Sequence, residues 1–229
     1  MGLWHVFYEN WQMECCGTPF TVGDEVSWPL RFHAADGYFG GGWYDQLTKV
    51  TGEVADVPTE DGAVRVLRDE NGLVLALHED PVDVLSDEDR NAERPGDWIR
   101  LVGLLKVETH GARLPETRGR VRAVQLLTQG FAESADAWRP VAGERWLHAV
   151  DTCPKWFTDQ GVGTNRRHIQ AGVVVTLEVP DTDSWLSYAV REATGLPKDA
   201  PPGAETAGLD GAALAALLST FSGVAGPPN

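Results

Sequence analysis

The chain has 229 residues, of which 42% are hydrophobic, and its 34 acidic and 19 basic side chains give a formal net charge of −15. The apolar fraction excludes a disordered chain, three cysteines exclude a dense disulfide framework, and no apolar run reaches the roughly 18 residues of a membrane span. The negative charge opposes broad nucleic-acid binding, because phosphate repels such a surface.

The elements follow in chain order. Leu3 to Tyr8 is a candidate strand. Val26, Trp28, Leu30 and Phe32 alternate with Glu25, Ser27, Pro29 and Arg31, which predicts a half-buried strand. Pro29 lacks an N–H, so the strand is expected at an edge or bulged there. Leu73, Leu75 and Leu77 alternate in the same way. Residues 98–107 and 118–127 read as a strand pair, and residues 145–150 as another strand. Residues 170–179 are dense in β-branched side chains and read as a strand buried on both faces. Helices come late. Asp183 is an expected N-cap. Trp185, Leu186, Ala189, Val190 and Ala193 mark one helical face, and Gly195 and Pro197 stop it. After a Pro-rich linker, residues 198–208, Leu214, Leu217, Leu218 and Phe221 mark a last amphipathic helix.

This pattern predicts a mainly β fold with minor α. A doubled G-D-x-[VI] then G-x-V-x-x-V spacing, at Gly23 and Gly52 and again at Gly96 and Gly119, resembles SH3-like and OB-like barrels. It predicts two small barrel or sheet units plus one or two C-terminal helices. Residues 53–93 hold 13 acidic side chains and 3 Arg, and their polar, turn-rich end is the expected boundary. The division is therefore 1–93, a Trp-rich unit with an acidic segment; 96–197, a second β unit ending in a helix; and 198–229, linker, helix and tail. A chain of this length buries about 70% of its unfolded surface, so its core needs no metal or disulfide. Met1 to Val6 lacks a secretory n- and h-region, which makes a cytoplasmic protein with reduced thiols the expectation.

The most distinctive block runs from Trp11 to Trp28 and reads WQMECCGTPFTVGDEVSW. It resembles the opening of an uncharacterised actinobacterial family of unknown function, with the pattern W-x-M-x-C-C-G-x-P-F-x-V-G-D-x-V-x-W. The resemblance is strong over about the first thirty residues and implies a cytosolic actinobacterial origin. It implies no activity and no catalytic residues.

Cys15 and Cys16 are adjacent, whereas zinc sites space two thiolates by two to four residues. On a strand they would point to opposite faces, and only an unusual turn lets both reach one ion. With His148 and Cys153 they form a candidate Cys/His zinc site, with His5, His110 and His168 further off. Cys153, His148 and Asp151 are the candidate catalytic set, since a nucleophilic thiolate needs a partnered His. No family signature supports them, and no G-x-S-x-G, H-E-x-x-H or P-loop is present. Eleven of the 20 aromatic residues lie in positions 1–44. Of these, Trp4, Trp11, Trp43 and Tyr44 are the candidate ligand-binding wall. Arg118, Arg120 and Arg122 recur at period 2 and would form a positive stripe for single-stranded nucleic acid, although pairing with the acidic 53–93 segment is the favoured reading. The sequence therefore favours a non-enzymatic binding or adaptor module for a protein, peptide or small ligand. No cofactor is expected, apart from a possible zinc ion, and neither nucleic acid nor a membrane is expected as partner.

Overall fold

A computed structural model describes residues 2–33, 46–59, 62–69, 72–77, 96–110, 113–134, 137–180, 183–197, 200–201 and 203–222. The fold is mainly β. The strands are β1 (Gly2–Glu9), β2 (Glu25–His33), β3 (Thr48–Thr59), β4 (Gly62–Arg68), β5 (Val74–Ala76), β6 (Trp98–Val107), β7 (Glu116–Ser134), β8 (Ala137–Val150), β9 (Asp159–Gly161) and β10 (Arg166–Val179). The helices are α1 (Asn10–Cys15), α2 (Trp185–Ala193) and α3 (Gly211–Ser222), with a 3₁₀ turn at Ala204–Thr206. No described helix is long and apolar enough to cross a membrane.

The strands join in one sheet, ordered β8-β7-β2-β5-β4-β3-β6-β1-β10-β9, with further pairings of β7 to β10 and β2 to β6. These pairings close two circuits. One runs β7-β2-β6-β1-β10, and the other runs β2-β5-β4-β3-β6. The β2–β6 pair, Leu30 to His33 against Val107 to Leu104, belongs to both. Strands from either side of residues 93–97 are thus hydrogen-bonded into the same sheet.

Burial explains the strand patterns. In β1 every residue is buried. Trp4, Val6 and Tyr8 enter the main core, Leu3 enters a second cluster and Phe7 a third. The strand lies between antiparallel β10 and parallel β6, which satisfy its two edges, while the main core covers one face and the second and third clusters the other. In β10 residues 171–179 are all buried, as the β-branched run predicts. In β2, Trp28, Leu30 and Phe32 are buried and the residues between them are not. Pro29 is not at a sheet edge or a bulge. It is the last β2 residue paired with β7, just before the β6 pairing begins at Leu30. A missing N–H is tolerated where the strand changes partners.

Helices α2 and α3 lay Leu186, Val190, Leu214, Ala215 and Leu218 over Leu3 and Ala123. Each fully buried side chain of this kind contributes about 1.5–3 kcal/mol relative to exposure. Two details depart from the sequence reading. The N-cap of α2 is Ser184, whose side chain accepts from the Ser187 N–H. Asp183 instead accepts from Arg191 Nη2 at 2.8 and 3.0 Å. The buried face is Leu186, Ser187, Val190 and Arg191, while Trp185 is 45% exposed. The 198–208 segment also holds structure, because Glu205 in the 3₁₀ turn is buried against Arg191.

Candidate metal centre

Helix α1 begins directly after β1 and is six residues long, with Cys15 as its last residue and Cys16 as its C-cap. Successive side chains at a helix end diverge by about 100° instead of alternating as on a strand. That is the turn geometry two neighbouring thiols need to face one point. Gly17 permits it, because a Cβ there would lie 2.6 Å from Met13 Sδ and 2.8 Å from Tyr8 Oη. Lys155 caps the helix, its Nζ donating to Met13 O at 2.7 Å and Gly17 O at 2.9 Å. A cation there also suits the helix dipole. The segment that carries Lys155 is tied alongside, with Cys153 N–H donating to Phe20 O and Phe157 N–H donating to Glu14 Oε1, both at 2.9 Å.

The third donor comes from just beyond β6. His110 Nε2 lies 3.5 Å from Cys15 Sγ and 3.3 Å from Cys16 Sγ. The three ligand atoms all lie within 4.8 Å of one another. The indole of Trp11, one turn before Cys15, packs on the imidazole with ring centroids 4.7 Å apart. Both thiols are exposed.

The hydrogen bonds behind His110 fix its tautomer. Gln12 is fully buried. Its Nε2 donates to Val107 O at 2.8 Å, and its Oε1 accepts from the Thr109 N–H at 2.9 Å, so backbone groups settle its orientation. The same Oε1 lies 2.9 Å from Thr109 Oγ1, which must supply the proton. Thr109 Oγ1 therefore accepts from its other neighbour, His110 Nδ1, at 3.2 Å. With the proton on Nδ1, Nε2 presents a lone pair to both sulfurs. Metal-binding histidines are held in this way, with the far ring nitrogen donating to an outer partner.

The distances fit an ion. Zinc bonds sulfur at about 2.3 Å and nitrogen at about 2.0–2.1 Å, which at tetrahedral angles puts S and N about 3.5 Å apart. The Cys16 thiol lies above its ordinary pKa, chiefly through its hydrogen bond with Cys15, with desolvation and the Cys15 charge adding and Lys155 opposing. A thiolate there would need a bound cation to stabilise it. Cys16 also borders a cleft of about 460 Å³ lined by Tyr8, Thr18, Asp24, Ser27 and Trp28.

The other candidate residues lie elsewhere. Cys153 is fully buried in the main core, and burial pushes its thiol up to about 12, the opposite of thiolate activation. His148 is half-buried on β8 opposite Leu126, and Asp151 is exposed. Neither His148 nor Cys153 joins the Cys15–Cys16–His110 group. Trp4 is a core residue, 2% exposed, whereas Trp11 is 47% exposed beside the site. Trp43 and Tyr44 fall outside the described residues. Arg118 and Arg120 are exposed and Arg122 is half-buried. Arg120 pairs with Glu25 at 2.9 Å, and Arg122 donates to Thr206 O and Leu209 O. These partners all lie outside the 53–93 segment.

The sequence placed His110 behind His148 and Cys153 as a donor, because nothing in its spacing tells which distant residue folds beside Cys15. It missed Gln12 and Thr109, whose roles exist only once β6 lies beside α1. No curated protein and no solved structure matches the chain. A family model does match, over residues 2–179, a span that holds Cys15, Cys16, His110 and their outer partners, and the chain therefore belongs to DUF6578, a family of unknown function.

Proposed function

We propose that this protein is a binding module whose ligand is a soft divalent cation of the zinc class, held by Cys15 Sγ, Cys16 Sγ and His110 Nε2. The observation that carries this reading is the convergence of two thiols on the bare Nε2 of an imidazole, at 3.5 and 3.3 Å, the spacing a tetrahedral ion needs. The Gln12–Thr109 relay adds support, because it costs a buried amide to hold one tautomer. Thiols paired with no disulfide also suit a reducing, cytoplasmic compartment.

The test is elemental analysis and native mass spectrometry of protein purified reduced and without chelator. One equivalent of zinc, lost in Cys15→Ser, Cys16→Ser and His110→Ala variants that remain folded, is the expected result. Protein that neither retains nor takes up zinc, cobalt(II) or cadmium would overturn the proposal.

A further inference from the structure

We infer that the ion's fourth ligand comes from outside the chain, so that the centre is an open position for a small anionic ligand. This inference rests on the metal-site reading above. Among the described residues, the donor group ends at three: Cys15, Cys16 and His110. Four-coordinate sites closed by protein are structural, whereas three protein donors leave a position for water or a ligand. Both thiols are exposed, so a ligand can reach the ion position from solvent.

Charge selects what binds. Two thiolates and one neutral imidazole cancel a dication. Lys155 adds a positive charge at the end of α1, beside the ligand cysteines. Its ammonium is anchored on Met13 O and Gly17 O, so it stays near the site. The nearby carboxylates each have another partner, including Glu25 of the adjoining cleft, which pairs with Arg120. Glu14 accepts from Phe157 N–H, and Glu108 accepts from His110 N–H and lies 3.9 Å from Arg31. Asp24 accepts from Thr21 N–H. A small anion at the fourth position completes the coordination and meets the lysine charge. A cleft of about 460 Å³ adjoins Cys16, with Tyr8 on its wall.

The experiment loads the full-length apo protein with one equivalent of cobalt(II) and titrates it with azide. The expected spectrum has sulfur-to-cobalt charge-transfer absorption and intense visible bands of four-coordinate cobalt. Azide then shifts the visible bands saturably while the charge-transfer absorption persists. Lys155→Gln binds the same equivalent of cobalt but needs several-fold more azide for half-saturation. If the charge-transfer absorption forms but azide leaves the visible bands unmoved, the fourth ligand belongs to the protein, and the open-site inference fails while the metal site stands. If no charge-transfer absorption forms, both readings fall together.

Discussion

At the residue scale, Thr109 decides whether His110 can serve as a ligand. Its hydroxyl has one proton, spent on Gln12 Oε1, and so it can only accept from His110 Nδ1. Thr109→Val keeps the side-chain shape and removes that acceptor. The imidazole is then free to take either tautomer, and one of them puts a proton where the ion belongs. Outer-shell losses of this kind cost about 10–100-fold in metal affinity. Competition against a chromophoric chelator should show that loss with an unchanged far-UV spectrum, and an unaltered affinity would remove the relay from the account. Cys153 is the contrasting thiol. Its folded pKa of about 12 stands above the ordinary value of 9.0, so the native state holds the proton more tightly than the unfolded chain. The stability this gives is fully present below pH 9 and drains away as the pH climbs toward 12. Denaturant titrations of wild type and Cys153→Ala at rising pH should therefore converge across that window. A constant gap would mean that the thiol contributes only by packing. Sequence alone could not separate these cysteines, because burial and partners arise from the tertiary fold.

At the element scale, legibility followed pattern length. Strand β6 was readable at both ends, residues 98–107, because apolar residues run through nearly its whole length, although buried and open positions alternate only in its first half and residues 103–107 are all buried. Strand β3 alternates as well, but Thr48 and Gly52 occupy buried positions beside Val50 and Val54, so the apolar signal is diluted. Helix α1 is too short to show a period, and its N-cap makes no side-chain hydrogen bond. Helix α2 was legible as an element and its stop at Gly195 agrees with the structure, but its N-cap was misassigned by one residue, since Asp183 and Ser184 are both good caps by type. Arg191 decides between them. It is buried, takes Asp183 as partner, and reaches Glu205, whose side chain is 0% exposed, at 3.3 Å. Removing the arginine strands a carboxylate in the core. Arg191→Leu should cost about 3–5 kcal/mol, as for other half-removed buried pairs, and Arg191→Leu with Glu205→Leu should recover much of it. Thermal unfolding of the single and double variants measures both. A double variant no more stable than the single would show that the carboxylate is not the source of the cost.

At the scale of the whole molecule, the sequence order of the strands is not their spatial order. The acidic stretch marks a break in composition and invites a division into residues 1–93 and 96–197, yet hydrogen bonds cross it repeatedly. Strand β1 pairs with β10 over eight residues, β2 pairs with β7 over five, and β6 pairs with both β2 and β3. Each pairing circuit thus draws strands from both sides. Neither can close without the other's chain, and the β2–β6 pair is a wall common to the two. Such long-range partners are invisible to local pattern, which is why strands were legible and their order was not. The candidate metal site inherits the same dependence, since Cys15 and Cys16 precede the acidic stretch and His110 follows it. Elements that share walls unfold together, because opening one circuit exposes the core of the next. Urea unfolding of the apo protein should therefore be one transition, with near-UV and far-UV circular dichroism coincident, and zinc should shift its midpoint without splitting it. Two resolved transitions, with zinc moving only one, would instead show that the chain folds as two units and that the site belongs to one of them.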